Sequence, residues 1–280
     1  MNDQKKRISI KLIFFFVFTV FYSISYATDT YESYMEVGLD RYFNQKSKIV
    51  DRYDLFIPLL YKNNKLFFTD LRIFGRSSGS FESNIHVGLR NLYPNEEEMI
   101  GVYAAYDCKR SSNKNWFNQI MIGGEYWNGR WFIGGNIYRP LGDTKKNINI
   151  NADVSEIDSK AIGITRYHEE ALPGADAEVG YSLKDSLTGY VGIYYFHASD
   201  TSSAIGPRAR FVYNYNKPDD RVFGILDGVS VEVGVQHDRT RGTTAHVGIN
   251  FRVGITPLED NSNVSGFKRH MVDLVRRDLD

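Results

Sequence analysis

VSVEVGVQHD, residues Val229–Asp238, alternates apolar with polar or small residues over four repeats. The same period of two returns directly afterwards in AHVGINFRV, residues Ala245–Val253. Because successive side chains of a strand point to opposite faces of a sheet, this period predicts strands with one apolar and one polar face. The two segments therefore predict a pair of neighbouring β-strands.

The same alternation recurs along most of the chain. Twelve strands are predicted, near residues 31–42, 51–61, 65–75, 84–90, 101–107, 117–127, 130–139, 175–182, 188–197, 205–215, 229–238 and 245–253. A thirteenth candidate, residues 159–168, fits worst because Lys160 and Arg166 lie on its apolar face. We assign it to one long loop, Leu141–Gly174, and the chain is predicted to be all-β.

The connections between these strands alternate in length. Short turns are predicted at 62–64, 93–98, 128–129 and 184–187, and longer loops at 76–83, 109–116, 141–174 and 198–203. Asn128-Gly129 is the strongest hairpin signal, because both residues tolerate the positive φ of a type I′ turn. With 216–228 as the exception, short turns fall on one rim and long loops on the other. An even strand count joined in this way is typical of bacterial outer-membrane barrels.

The first 27 residues have the composition of a secretory signal. Four basic residues among the first 11 precede the apolar run Leu12–Phe21, and Ser25 and Ala27 are small residues at −3 and −1 of a cleavage point after Ala27. This order is that of a signal peptide. The uncharged stretch Leu12–Ile24 has 13 residues, whereas a membrane-spanning helix needs about 20. We therefore expect an exported protein.

Three features favour a transmembrane barrel over a soluble β-sandwich. The strands run to about ten residues, the length of a tilted membrane strand rather than the usual 5–6. Aromatic residues near the strand ends are expected to form interfacial girdles: Trp116, Trp127, Trp131, Tyr138, Tyr190, Tyr195, Tyr213 and Tyr215. The polar face carries both signs of charge, as a lumen would: Arg72, Arg90, Asp107, Glu125, Glu178, Arg208, Arg210, Glu232 and Arg252.

Composition excludes several functional classes. Lys+Arg and Asp+Glu are equal at 34 each, so the chain lacks the basic excess typical of a nucleic-acid-binding protein. The single cysteine, Cys108, excludes a disulfide framework and a thiolate cluster. It lies on the apolar face beside Tyr106, where a thiol behaves as a small hydrophobe.

We expect no cofactor, no metal and no catalytic residue. His168-Glu169-Glu170 lacks the second histidine, one helical turn on, that a zinc motif needs. Asp107 and Glu125, on neighbouring strands, are interpreted as partners of lumen arginines rather than as an acid–base pair. His86 and His246 are interpreted in the same way, as lumen residues hydrogen-bonded to their neighbours.

A series of motifs follows the strands in order. They are LFFTDLR (66–72), NIHVGLRN (84–91), GVYAAYDCKRSS (101–112), FNQIMIGGE (117–125), NIYRPLG (136–142), ALPGADAEVGY (171–181), GPRARF (206–211), VQHDRTRG (235–242) and HVGINFRV (246–253). In this order and spacing they resemble the inverse autotransporter β-domain of the intimin/invasin type. The resemblance covers nearly the whole chain after the signal peptide.

The resemblance implies a twelve-stranded outer-membrane barrel with both barrel ends on the periplasmic side. It implies a linker that returns through the lumen and carries an adhesive passenger of immunoglobulin-like repeats to the surface, for adhesion to host cells. Here 24 residues follow Thr256. Two alternatives stay open: a barrel-only member of the family, or a sequence that stops before the passenger. A host receptor is expected only if a passenger exists.

Three domains are predicted: the signal peptide 1–27, the barrel 28–256 and a linker 257–280. Phe267, Met271, Leu274 and Val275 stand at i, i+4, i+7 and i+8, which predicts a short amphipathic helix within the lumen.

One short pattern resembles a barrel-assembly signal. In the last strand His246, Gly248, Phe251 and Val253 match polar-x-Gly-x-x-apolar-x-apolar, a pattern of terminal barrel strands. The expected partners are therefore the outer-membrane lipid bilayer, the barrel-assembly machinery and periplasmic chaperones.

The leading hypothesis is a non-enzymatic translocator and anchor for an adhesin. The alternative is a stand-alone outer-membrane pore or a barrel enzyme. A pore would conduct ions, which a barrel plugged by residues 267–280 should not. A barrel enzyme would need a carboxylate or Ser/His cluster at the outer rim.

Overall fold

The computed structural model describes residue 31 and residues 33–43, 48–148, 168–198, 203–216, 226–254 and 266–277. Its strands are β1 Tyr34–Phe43, β2 Lys48–Lys62, β3 Lys65–Arg76, β4 Phe81–Leu92, β5 Glu98–Arg110, β6 Trp116–Asn128, β7 Trp131–Leu141, β8 Lys145–Asn147, β9 His168–Glu170, β10 Gly174–Lys184, β11 Leu187–Phe196, β12 Ala204–Asn216, β13 Leu226–Asp238 and β14 Gly242–Gly254. All but β8 and β9 form one closed antiparallel barrel. The predicted twelve-stranded up-and-down barrel is confirmed.

Closure joins the first barrel strand to the last. β1 pairs with β14 from Tyr34 opposite Gly254 to Phe43 opposite Ala245. Both barrel ends, Tyr34 and Gly254, therefore lie on one rim, together with the turns at 63–64, 129–130 and 185–186. We call this the short-turn rim, and the opposite rim, which holds residues 142–148 and 168–173, the long-loop rim.

The long connection after β7 contains a two-stranded sheet that was not predicted. Lys145 pairs with Glu170, Lys146 with Glu169, and Asn147 with His168. Opposite charges on facing strands stabilise such a pair, but two runs of three residues are too short to show a period of two. The rejected strand 159–168 lies outside the described residues except for His168, and so does the signal segment 1–27.

The two faces of the barrel wall differ in polarity. Large apolar side chains point outward along every barrel strand, with Ile122 65% and Ile137 68% exposed. Charged side chains point inward, and Asp70, Arg90 and His86 are fully buried there. A soluble protein would have these polarities reversed, whereas a barrel in lipid requires them.

Five of the eight predicted girdle aromatics are exposed on the outer face: Trp116, Trp131, Tyr195, Tyr213 and Tyr215. The prediction was wrong for Trp127, Tyr138 and Tyr190, which are 1%, 2% and 3% exposed and face the lumen. They lie near strand ends, but the alternation along the strand decides on which face of the wall a side chain lies. Each of the three stands at a position whose side chain points into the lumen.

The predicted type I′ turn at Asn128-Gly129 was also wrong. Asn128 still pairs with Trp131, so the two-residue turn is Gly129-Arg130. Only Gly129 has positive φ, 53°, which is the pattern of a type II′ turn. The turn with positive φ at both positions is Asn63-Asn64, at 51° and 61°.

The segment after the barrel contains a 3-10 helix, Gly266–Val272. The apolar spacing predicted a helix reaching Val275, but the helix ends three residues earlier. Within the described ranges, no helix is long and apolar enough to cross a membrane.

Candidate functional site

Residues Gly266–Arg277, which we call the plug, lie inside the lumen. Met271 and Val275 are 0% and 1% exposed, and they pack in one apolar cluster with lumen-facing aromatics of the wall. Trp127 belongs to this cluster and stacks on His270 of the plug at 3.7 Å between ring centroids. The wrongly predicted girdle aromatics thus belong to the apolar surface on which the plug packs.

The plug runs along the barrel from one rim towards the other. At its start, Lys268 Nζ lies 2.8 Å from Glu96 Oε1, in the turn between β4 and β5 at the short-turn rim. At its end, Arg277 pairs with Asp107 and approaches Glu82 at 3.8 Å. Both carboxylates lie near the long-loop rim. The chain direction inside the lumen is therefore from the short-turn rim outward.

Side chains of the wall hold the plug by its main chain. Four of them donate hydrogen bonds to plug carbonyl oxygens: Tyr34 to Val272 at 2.6 Å, Arg90 to Met271 at 2.9 Å, Arg72 to Val275 at 2.5 Å and Asn136 to Arg276 at 3.0 Å. Val275 N donates in return to Asp70 at 3.3 Å. The wall thus satisfies backbone groups that would otherwise be buried without partners.

Arg90 is the largest of the fully buried charged side chains in this network. It is fully buried, pairs with Glu125 at 2.6 Å and lies over the Phe68 ring at 4.5 Å. Its second nitrogen reaches the carbonyl oxygen of Met271. One arginine therefore links β4 to β6 and both to the plug.

The predicted lumen charges form ion pairs between strands. Arg208 pairs with Asp176 at 2.9 Å, Arg210 with Glu232 at 3.2 Å and Arg252 with Glu36 at 2.7 Å. Asp107 and Glu125 each have an arginine partner, Arg277 and Arg90, as interpreted from sequence. The partners Asp70, Asn136 and Asp176 were not predicted, although the alternation of β3, β7 and β10 places each on the lumen face.

The two lumen histidines are likewise hydrogen-bonded. His246 Nε2 lies 2.9 Å from Glu232 Oε1, and His86 Nδ1 lies 3.2 Å from the Asp70 carbonyl oxygen.

Glu169 has a structural role. It belongs to the triplet His168-Glu169-Glu170, which was predicted not to bind a metal. Its carboxylate accepts hydrogen bonds from Ser111 at 2.7 Å, Asn113 at 2.7 Å and Asn115 at 2.8 Å. Partial burial raises the pKa of Glu169, but these hydrogen bonds outweigh it and hold the pKa below its usual value. The side chain fastens β9 to the loop between β5 and β6. Among the described residues, no group of three or more potential ligands could hold a metal ion.

One Ser–His contact was missed from sequence. Ser203 Oγ lies 3.4 Å from His197 Nδ1 at the long-loop rim. Within the described part of the chain no carboxylate contacts His197. A Ser-His-Asp triad needs such a carboxylate to orient the imidazole, and the described residues do not supply it.

Among the described residues, two cavities lie beside the plug. A vestibule of about 750 Å³ opens at the long-loop rim, and a second cavity of about 210 Å³ lies deeper in the lumen. The plug's wall contacts lie largely on β3–β7, whereas the deeper cavity follows β12–β14, β1 and β2. The plug therefore covers one side of the lumen.

The four residues of the proposed assembly signal alternate across β14. His246 and Gly248 face the lumen, where a Cβ at Gly248 would overlap the Asp40 carboxylate. Phe251 is 45% exposed on the outer face, between Val37 of β1 and Val229 of β13. Its ring therefore lies on the outer surface of the barrel.

We predict that Phe251→Asp lowers outer-membrane yield more than Phe211→Asp does. Both substitutions put a carboxylate on the lipid-facing surface, but only Phe251 belongs to the assembly pattern. The measurement is the amount of heat-modifiable, folded barrel in outer-membrane fractions. Equal losses in the two variants would show that the pattern adds nothing to assembly.

Comparison with known proteins points to one family. The model of the inverse autotransporter β-domain matches residues 27–186. No curated protein matches the chain.

Solved structures similar to this chain have low sequence identity to it. A chain from a study of the in-meso crystallization of membrane proteins is 15% identical, with a TM-score of 0.64, covering 88% of this chain and 96% of that one. KdgM porin is 13% identical, with a TM-score of 0.46 and coverages of 77% and 98%. Outer membrane phospholipase A from Escherichia coli is 12% identical, with a TM-score of 0.42 and coverages of 83% and 96%. At such identities the first likeness shows the fold alone.

Proposed function

The chain belongs to the inverse autotransporter β-domain family, and we propose that its outer-membrane barrel is the translocator and anchor of a segment displayed at the bacterial surface. We propose the same division into signal peptide 1–27, barrel 28–256 and linker 257–280. The family is that of a translocator domain and not of an enzyme.

The course of the plug is the observation that carries this proposal. Its 3-10 helix of 7 residues rises by about 2.0 Å per residue. The five residues from Asp273 to Arg277 add at most about 3.5 Å each. Together they reach at most about 30 Å, comparable to the hydrocarbon core of a bilayer. A plug of this length is therefore long enough to lead a chain from the short-turn rim towards the long-loop rim, where Arg277 pairs with Asp107.

The way the wall binds the plug also supports a translocator. Four wall side chains bind carbonyl oxygens, and every residue of any sequence has a carbonyl. A lumen that binds main chain places few demands on the sequence passing through it.

The cargo and the partners are proposed from the family resemblance. The displayed segment would be an adhesin of the intimin/invasin type, and its role would be adhesion to host cells. The barrel-assembly machinery and periplasmic chaperones would deliver the barrel to the membrane.

A stand-alone pore is the second candidate, favoured by the two cavities beside the plug. Single-channel recording of the full-length protein addresses it, because a stand-alone pore would conduct with residues 266–280 in place, whereas a plugged translocator would conduct only after their deletion. A barrel enzyme is disfavoured by the Ser203–His197 contact, which has no carboxylate among the described residues.

The translocator is tested by appending a peptide tag after Asp280. We expect antibody to bind this tag on intact cells, and added protease to cut the loop 141–174. A matched control carries the same tag between Asn63 and Asn64, at the short-turn rim, where antibody should bind only after the outer membrane is opened. Reversed accessibility of the two tags would refute the proposed direction.

A further inference from the structure

We propose that Arg110 and Arg139 form a binding site for a phosphorylated lipid headgroup on the outer wall of the barrel. The site lies on β5–β7 near the long-loop rim, and it faces the membrane rather than the lumen. Lipid binding there goes beyond display of a segment, because translocation uses the lumen. Its place in the outer leaflet rests on the proposed direction of the barrel, whereas the binding itself does not.

Both arginines belong to the outward-facing row of their strand. Arg139 is exposed and lies two residues after Ile137, which is 68% exposed. Arg110 lies four residues after Tyr106, which is 47% exposed. Residues two or four apart on a strand share a face. Both side chains therefore extend from the lipid side of the wall.

The register of three neighbouring strands brings the two arginines into one patch. Arg110 is paired with Trp116 of β6, and Arg139 is paired with Ile120 of the same strand. Asn118 lies between these two partners, so it is a diagonal neighbour of each arginine, at about 7–8 Å. The arginines thus flank Asn118 at roughly 15 Å from each other. Their long side chains can converge on one headgroup between them.

The patch has a net positive charge. Among the described residues, neither Arg110 nor Arg139 has an ion-pair partner. Asp51 also faces outward, but it is in register with Arg110 only across three strands, roughly 14 Å away. The described loops beside the patch carry equal numbers of both signs: Lys114, Lys145 and Lys146 against Asp143, Glu169 and Glu170.

Aromatic neighbours indicate the depth of Arg110 in the membrane. It lies between Phe81 of β4 and Trp116 of β6, and both rings are exposed on the outer face. Aromatic side chains at the ends of barrel strands lie at the membrane interface, where the headgroups are. A guanidinium at that depth can form two parallel hydrogen bonds to a phosphate. A lipid phosphate is therefore the anion that fits this patch.

The experiment is native mass spectrometry of the purified full-length protein with lipid A, in a form that carries two phosphates and in a form that carries none. We expect the phosphorylated form to stay bound when the detergent is removed, and the dephosphorylated form to be lost at the same concentration. Equal retention of the two forms, or retention of neither, would overturn the proposal.

Variants locate the binding on the two arginines. Arg110→Gln and Arg139→Gln should each weaken retention of the phosphorylated form about fivefold, and together about 25-fold, which is the usual contribution of cationic side chains close to an anionic membrane surface. Replacing both arginines by lysine keeps the charge but loses the paired hydrogen bonds, so retention should be intermediate. Full retention by the double glutamine variant, shown to be folded by heat-modifiable migration, would refute the site.

Arg41→Gln is the matched control. Arg41 is exposed on the outer face of β1 near the same rim, but its diagonal neighbour on β2 is Asp51. Its loss should leave lipid retention unchanged, and a loss of retention as large as that of Arg139→Gln would show general attraction instead of a site. Binding is measured without regard to orientation, and surface display of the tag after Asp280 is a separate readout. Failure of either proposal therefore leaves the other testable.

Discussion

Arg90→Ala is expected to lower the free energy of unfolding by about 3–5 kcal/mol, the usual cost of removing one partner from a buried ion pair. Glu125 would keep its charge within the lumen without its cation at 2.6 Å. The Met271 carbonyl oxygen would lose its donor as well. The loss should therefore affect both the wall and the seating of the plug.

The measurement is urea unfolding of the refolded barrel in vesicles, followed by heat-modifiable migration. Arg130→Ala, in the exposed turn between β6 and β7, is the control and should change stability by less than about 0.5 kcal/mol. Combining Arg90→Met with Glu125→Leu should recover most of the loss, because an apolar pair leaves no charge behind. If Arg90→Ala matched Arg130→Ala, the central role of this ion pair would be refuted.

Ile137→Arg is expected to destabilise the barrel by about 2–4 kcal/mol in a bilayer. Ile137 is 68% exposed at the middle of β7, where its neighbours on β6 and β10 are Ile122 and Ala175. A guanidinium at that depth would have to leave water for hydrocarbon. In a protein surrounded by water, the same substitution would cost almost nothing.

Leu141→Arg provides the matched control on the same strand and the same outward face. Leu141 ends β7 at the long-loop rim, so an arginine there would reach the headgroups and cost about 0–1 kcal/mol. Unfolding free energies in vesicles should separate the two variants. Equal costs would contradict the proposed depth of β7 in the membrane.

Alternation was sufficient to predict the barrel strands. The predicted strand near 65–75 is β3, Lys65–Arg76, and that near 188–197 is β11, Leu187–Phe196. Every barrel strand has lipid on one face and the charged lumen on the other, so every strand must alternate apolar and polar residues. The local sequence is therefore enough to locate the strands.

The face of the barrel wall on which each aromatic side chain lies was predictable from the sequence. Trp127 lies two residues after Glu125, and Tyr138 lies two residues after Asn136. Residues two apart on a strand share a face, so alternation assigns both aromatics to the lumen. The girdle prediction rests on position along the strand, which indicates depth in the membrane but not the face.

The plug could not be placed by such reasoning. The hydrogen bonds from Arg90 to Met271 and from Tyr34 to Val272 join residues 181 and 238 positions apart. No local pattern encodes a contact of that separation. The apolar spacing from Phe267 to Val275 indicated that one face would be buried, but not against which wall.

The pairing of β1 with β14 has a consequence for the order of folding. Arg252 and Glu36, which pair across it, are 216 residues apart, and joining chain ends over that length costs about 5 kcal/mol of conformational entropy. Most other neighbouring strands close over nine residues or fewer, and even β7 and β10 close over 32, so these pairs form at lower entropic cost. We therefore expect this seam to form last. Until it does, β1 and β14 each present unpaired backbone, and a half-assembled chain is most exposed there to pairing with the wrong strand.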